Sequence, residues 1–371
     1  MAKNKISVIG IGRLGICLSM ILSKCNEVVG YDINSDYIKS INDGKFYSEE
    51  PGLNDFIKDN NNFIATDDLV KTLSHSDIIL VLVRTDSLSD GSYDSSNVDA
   101  VVSEVIKESK INNFSNKILV LCSTVSPGKC DSINDKLKEI GWELVYVPEF
   151  AAQGKLIHDF NNPDIFMIGS ANKEYADVVE DVFVSSVDSS PKVFRMDFVG
   201  AEIAKIASNC FITTKISFAN MVGDIAIASK TDPKIILKAI GSDSRIGNKC
   251  LSHGFGYGGH CFPRDNAALI NYSNLIGVDD MLPRCIDNFN NYHLRFLVDD
   301  FIKNHGLEDL VTIYGVSYKP GVNDIHKSQQ LDFAVALAKH GYSVRIVDTK
   351  SVIEQVEKLH GNLFVYSEHS K

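Results

Sequence analysis

The stretch "KISVIGIGRLGICLSMILSKCNEVVGYDIN", residues 5–34, restricts the fold more than any other part of this chain. "ISVIG" is a short apolar run rich in β-branched residues, the pattern of a strand buried on both faces of a parallel sheet. Gly10, Gly12 and Gly15 follow as G-x-G-x-x-G where that strand turns into a helix. Such glycines allow a tight turn, close approach of backbone to a pyrophosphate, and close helix–strand packing. The helix points its positive end at the phosphates. "EVVGYD" reads as the second strand, ending in Asp32. A carboxylate there accepts hydrogen bonds from a ribose 2′-hydroxyl and repels a 2′-phosphate, so the cofactor expected is NAD and not NADP. Leu14 lies inside the fingerprint and is counted with the cofactor contacts. Arg13 reads either as a phosphate contact or as a solvated arginine at a helix start.

The alternation continues. "SDIILVLV" (76–83), "NKILVLCST" (116–124) and "WELVYVPEF" (142–150) read as strands, with helical stretches at 94–108 and 128–140. Alternation of this kind implies a doubly wound parallel sheet, with ligands beyond the C-terminal strand ends. Thr85, Thr124 and Glu149 stand at such ends, although the two threonines suit helix caps equally well. Residues 198–229 form one long helical pattern without proline. Lys205 and Asn209 share one face of it, either as a solvated stripe or as a polar feature aimed at a site. "LVTIYGVSYKPGVNDIHKSQQLDFAVALAKHGYSVRIVDTK" (310–350) is a second β-α-β unit, ending in Asp348 and lacking the glycine fingerprint. Lys319-Pro320-Gly321 in its turn suits phosphate contact by a side chain. The expected fold is therefore α/β: two Rossmann-like doubly wound parallel-sheet domains joined by a long central helix. The expected division is 1–197 for NAD, 198–296 for a central dimerisation region with the cysteine loop, and a short 297–371 as a second Rossmann-like domain.

Composition narrows the partners. The 371 residues carry a formal charge of −11, with 44% hydrophobic and 23% charged residues. A soluble globular chain is expected, with no nucleic-acid or membrane partner, since both require a basic surface. The apolar N-terminal run is broken by three glycines and an arginine, so it is neither signal peptide nor span. The eight cysteines form no C-x-x-C pair. Reduced thiols in the cytoplasm are expected, and no metal.

One cysteine has unusual company. "GFGYGGHCFPRD" (254–265) places Cys261 after a run of glycines. NAD takes hydride from an alcohol to leave an aldehyde, and a thiolate adds to an aldehyde as a thiohemiacetal. Loss of a second hydride makes a thioester, which water cleaves to an acid. A chain with both parts can take an alcohol through to a carboxylate.

"VPEF", "GAEIAKIASNCF", "TKISFAN", "SDSRIG", "GFGYGGHCFPRD" and "YGVSYKPGVND" occur here in the order found in the UDP-glucose/GDP-mannose dehydrogenase family, and the chain resembles that family from residue 5 to about 350. The resemblance implies two successive oxidations of UDP-glucose to UDP-glucuronate with two NAD. It implies Cys261 as nucleophile and Glu149 acting on the water that hydrolyses the thioester. It implies Lys205 and Asn209 holding the oxygen that becomes negative, and Asp265 working with Lys205 and a water in the first proton removal. Substrate contacts implied are Phe150, Lys205, Asn209, Phe255, Tyr257, Gly258 and Lys319. Arg245 would reach the sugar nucleotide from a neighbouring subunit, which makes a homodimer the smallest complete enzyme.

Several positions depart from the family pattern. Ala151-Ala152-Gln153 follows "PEF" and lacks a usual carboxylate, and Arg84 stands in place of a proline. His260 replaces a serine beside the thiol, and His326 replaces an arginine. Little sequence remains after Asp348 for further strands around a uridine. These departures keep open GDP-mannose or a UDP-N-acetylhexosamine as substrate, and a catalytically weak nucleotide-sugar-binding protein. An ordinary NAD-dependent dehydrogenase that stops after one hydride also stays open. His260 beside Cys261 is a poor metal pair, because adjacent residues rarely present both groups to one ion.

Overall fold

In the computed structural model, which describes residues 4–369, the chain divides into two compact units, one running to Lys205 and the other starting at Ile206. The first unit is built on an eight-stranded sheet. Its spatial order is Lys192–Met196, Ile165–Ser170, Glu143–Tyr146, Ile118–Leu121, Ile78–Val81, Lys5–Ile9, Glu27–Tyr31 and Phe63–Thr66. Neighbours pair in parallel except Glu143–Tyr146 with Ile165–Ser170, which run antiparallel. The expected parallel sheet thus acquires two further strands beyond one antiparallel step.

The central strands are buried on both faces, and their residues divide by parity. Ile78 and Leu80 enter one core with Ile6, Val8, Ile118 and Val120. Ile79 and Val81 enter the other with Leu119, Leu121, Leu144 and Trp142. That alternation gives each face its own helical cover, including Arg13–Leu22 on the first and Lys129–Lys138 on the second. An unbroken apolar run is what a strand between two helical layers needs.

The helix Phe198–Ala228 begins in the first unit and continues into the second. By length and composition alone it could cross a membrane. Several of its polar side chains are engaged inside the protein. Glu202, fully buried, accepts hydrogen bonds from Gly128 N at 2.6 Å and Cys130 N at 2.8 Å. These amides belong to the start of the helix Lys129–Lys138, where unpaired N–H groups and the helix dipole favour an anion. Burial pushes the Glu202 carboxyl up, against the opposing effect of these bonds. Glu202→Ala would strand both amides in a dry site and is expected to lower stability by about 2–4 kcal/mol. Urea unfolding of the pure protein measures it; a loss below about 0.5 kcal/mol would show that the cap carries no weight.

The second unit holds a three-stranded parallel sheet ordered Leu310–Tyr314, Ser343–Asp348, Val365–Glu368. The third strand has four residues and lies in the last stretch, where room for little more sheet was expected. Its core joins Val344 and Ile346 to Leu337 of the helix Gln329–Lys339 and to Val352 and Val356 of the helix Lys350–His360. The helices Pro233–Gly241, Cys261–Leu275 and Met281–Asn304 complete this unit.

Candidate active site

The fingerprint glycines meet three different surroundings. A Cβ on Gly15 would lie 2.0 Å from the Gly10 carbonyl oxygen, so the helix rests directly on the turn. Gly10 N donates to Tyr31 O at 2.8 Å, which ties the turn to the second strand. A Cβ on Gly12, the N-cap of the helix Arg13–Leu22, would meet no protein atom within 4 Å. The fold therefore needs glycine at 15 for its own packing, whereas the face at 12 is open, as a phosphate site at a helix start requires. Arg13 is exposed beside it and Leu14 half-buried. Asp32 follows the second strand, and its Oδ1 accepts from Asn34 N at 3.0 Å. Asn34 in turn caps the next helix, Ser35–Asn42.

At the neighbouring strand ends, Thr85 Oγ1 donates to Thr124 O at 2.8 Å, and both residues are buried. Ser123 reinforces the join by accepting from Val83 N and donating to Val83 O, each at 2.8 Å. The two threonines are thus brought together as a brace across strand ends. Arg84 is exposed and paired with Asp86 at 2.7 Å.

A second group in the first unit gathers Glu149, Phe150 and Lys205. Lys205 is buried, donates to the Glu149 carbonyl oxygen at 2.6 Å, and lies 4.4 Å from the Phe150 ring centroid. An ammonium over an aromatic face is favourable in such a dry setting. The solvated-stripe reading of Lys205 is thereby excluded. The segment after Phe150 is held by Glu50, whose buried carboxylate accepts from Gly154 N and Leu156 N at 3.0 and 2.7 Å.

In the second unit, Cys261 is the first residue of the helix Cys261–Leu275 and is exposed. A helix N-terminus stabilises negative charge placed on it. The cysteines sort cleanly by environment. Cys17, Cys122, Cys130 and Cys210 are buried. Burial pushes the Cys17 thiol up to about 12, and moves the other three upward as well. Buried thiols of this kind are inert. One turn into the thiol helix, Asp265 is fully buried and accepts from Asn209 Nδ2 at 2.6 Å and from Arg264 Nε at 3.1 Å. Asn209 is therefore also engaged with a carboxylate rather than with bulk water.

The glycine loop is held by the protein's own groups. Gly254 N donates to Asn220, Gly256 N to Gln329, Tyr257 N to Asn290 and Gly259 N to the His326 carbonyl oxygen, all between 2.6 and 3.0 Å. A Cβ on Gly258 would lie 2.0 Å from the Lys327 carbonyl oxygen. The bare backbone thus admits the segment 318–329, and not only a ligand. Tyr257 is buried, with its hydroxyl bonded to Asp287 and to Asn266. Burial, and then the Asp287 contact, push its phenol well up. Phe255 and Gly258 flank it, half-buried and buried. Lys319 follows Tyr318, its ammonium 5.8 Å from that ring, in the turn that abuts the loop. Arg245 stands apart, exposed and paired with Asp243 at 2.7 Å.

Two departures from the family pattern turn out to be partners. His260 and His326 stack with centroids 4.2 Å apart and planes 3° from parallel, and His260 Nε2 lies 2.9 Å from Asp324. The loop-anchoring residues Asn220, Asn290 and Gln329 escaped the sequence reading. Each is an amide on a helix with no local sign of a partner, and only the chain's return brings them to the loop.

A glycine turn open at the head of a helix, with an acid after the second strand, is the arrangement of a dinucleotide-binding unit. Residues 4–187 match the NAD binding domain of the UDP-glucose/GDP-mannose dehydrogenase family, and 199–292 match its central domain. The chain belongs to that family of NAD-dependent nucleotide-sugar dehydrogenases. It is 30% identical to UDP-glucose 6-dehydrogenase TuaD of Bacillus subtilis, over 95% of this chain and 77% of that protein. GDP-mannose 6-dehydrogenase of Pseudomonas aeruginosa is 27% identical, over 93% and 81%. The solved UDP-glucose dehydrogenase of the archaeon Pyrobaculum islandicum superposes with a TM-score of 0.89 at 27% identity, covering 99% of this chain and 87% of that one.

NAD is thus the cofactor, and the cradle at Gly10, Gly12 and Gly15 fits it. Asp32→Ala is expected to raise the kcat/KM ratio of NADP over NAD by about tenfold or more, because a repulsive carboxylate is gone. An unchanged ratio in paired steady-state assays would remove Asp32 from cofactor choice.

Proposed function

We propose that this protein oxidises UDP-glucose to UDP-glucuronate, removing four electrons through a covalent adduct on Cys261. The observation that carries the reading is the exposed thiol at the head of the helix Cys261–Leu275, on a loop whose backbone is tied down residue by residue. NAD supplies the chemistry of hydride acceptance, one equivalent for each oxidation. Asp265, with Lys205 and a water, takes the hydroxyl proton in the first oxidation. The Cys261 sulfur then forms a bond to the aldehyde carbon, and Lys205 and Asn209 stabilise the negative oxygen. After the second oxidation the carbon is a thioester. Glu149 directs a water onto it, breaking the carbon–sulfur bond, returning the thiol and leaving the carboxylate.

UDP-glucose is favoured within the family by "SDSRIG" and "PRD", and by the extent of the likeness to TuaD and to the Pyrobaculum enzyme. Phe150, Phe255, Tyr257, Gly258 and Lys319 are assigned to the sugar nucleotide. The same proposal divides the chain into 1–197, 198–296 and 297–371, and its first two parts are supported by the matched segments. A homodimer accords with an exposed apolar stripe on the long helix: Phe211, Phe218, Met221 and Ile225 are 66%, 46%, 39% and 58% exposed. Such a stripe marks an interaction surface. Arg245 is assigned to the partner's sugar nucleotide. Eight cysteines outside any disulfide accord with the cytoplasm.

The test is the stoichiometry of NADH release across a panel of nucleotide sugars. Two NADH per UDP-glucose consumed, with acid as product, is the expected result. One NADH per sugar would point to a single-step alcohol dehydrogenase. Rapid turnover of GDP-mannose or a UDP-N-acetylhexosamine, with none of UDP-glucose, would replace the substrate. Tight binding of UDP-glucose without NADH would make the chain a binding protein.

A further inference from the structure

We infer that Asp224 and His293 are positioning residues for the thiol loop, acting as a buried carboxylate–imidazolium pair that holds the Gly254 carbonyl. His293 has acceptors at both ring nitrogens. Nε2 lies 2.6 Å from the Gly254 carbonyl oxygen, and Nδ1 lies 2.9 Å from Asp224 Oδ2. A neutral imidazole has one N–H and one lone pair, so a neutral ring would aim a lone pair at an acceptor. Protons on both nitrogens satisfy both contacts, and the resulting cation faces the Asp224 carboxylate directly. The His293 side chain is 0% exposed and that of Asp224 13%. A charge in such a place persists only with an opposite charge beside it. His253 completes the arrangement, with Nε2 3.0 Å from the other Asp224 oxygen, Oδ1. This pair holds Asp224 below the usual carboxylate range although burial works in the other direction.

The anchor sits at the root of the loop that ends in Cys261. The helix Met281–Asn304 grips that loop at three successive points: Asp287 at the Tyr257 hydroxyl, Asn290 at the Tyr257 N–H and carbonyl, and His293 at Gly254. Asn220, one turn before Asp224 on the long helix, accepts from Gly254 N. Gly254 is therefore bound on both its backbone groups, from two helices, and one of those bonds is charge-assisted.

Asp224, His253 and His293 also present ligand atoms within 4.8 Å of one another, as a divalent cation requires. Two features favour protons over a metal. The two imidazoles address different oxygens of one carboxylate at hydrogen-bond length. A divalent ion with two neutral histidines and one aspartate leaves a net positive charge in a nearly dry site, and structural sites normally supply a fourth ligand.

The inference rests on Cys261 as nucleophile, yet it is testable without turnover. In full-length protein labelled with 15N-histidine, the His293 ring, identified by its loss in His293→Gln, should show both nitrogens protonated at neutral pH and no change with EDTA. Asp224→Asn strands the cation and should slow alkylation of Cys261 by iodoacetamide, followed by peptide mass spectrometry, about tenfold through misplacement of the loop. The double variant Asp224→Asn with His293→Gln restores a neutral hydrogen-bonded pair. It should recover part of the thermal midpoint lost in Asp224→Asn alone. One unprotonated ring nitrogen, a stoichiometric metal by elemental analysis, or strictly additive variants with unchanged Cys261 alkylation would each overturn the assignment. If the pair and the thiol behave as stated but no nucleotide sugar yields NADH, the tether stands and the catalytic reading falls.

Discussion

Cys261→Ser is expected to abolish acid formation, with steady-state NADH release falling roughly ten-thousand-fold. Serine has the shape of cysteine, and the side chain is exposed, so the fold has no reason to change. What changes is the nucleophile. A hydroxyl at neutral pH carries almost none of the anion that a thiol does, and it lacks the polarisability of sulfur. Without the adduct, an aldehyde has no carbon–sulfur bond to carry it into the second oxidation. Quenched wild-type enzyme analysed by mass spectrometry should show a sugar adduct on the Cys261 peptide, and the serine variant should show none on turnover. Full activity in the variant would take the thiol out of the mechanism and with it the four-electron reading.

Gly258→Ala should lower sugar-dependent turnover about a hundredfold while leaving NADH binding intact. The added Cβ would fall 2.0 Å from the Lys327 carbonyl oxygen and 2.9 Å from its carbonyl carbon, with Tyr318 Cβ at 3.5 Å. Lys327 is itself at φ 49°, a conformation other than glycine adopts reluctantly. Ser328, next in the chain, caps the helix Gln329–Lys339 by accepting from Leu331 N. With backbone on one side and a capped helix behind it, relief has to come from the loop, three residues before Cys261. A loss of about 2 kcal/mol in stability is expected alongside, typical of overpacking. Fluorescence titration with NADH separates the effects. Wild-type turnover in this variant would mean that the loop tolerates displacement, and that its glycines serve something other than packing.

The particular residues show why some of the site was legible in sequence and some was not. Gly10, Gly12, Gly15 and Asp32 were readable because their jobs are local: a turn, a helix start and a strand end within thirty residues fix where each points. Cys261 was conspicuous because its neighbours are glycines. Lys205 and Asn209 were ambiguous, since helical spacing records a shared face but not what covers it. Their partners, the Glu149 carbonyl and Asp265, lie 56 residues away in each case. The engagement of the Tyr257 hydroxyl was not legible, because nothing near it announces Asp287 thirty residues on.

Local chemistry in the chain settled the alternation of strands and helices, the glycine turn at the first helix, the expectation of NAD and the prominence of one thiol. These follow from hydrophobic period, backbone freedom at glycine and charge at helix ends, all short-range properties. Tertiary structure alone decided which polar groups meet: Glu202 with the start of another helix, His260 against His326, and Asp224 with His253 and His293. A buried polar side chain is tolerated only where a partner stands, and the partner's place depends on how distant segments pack.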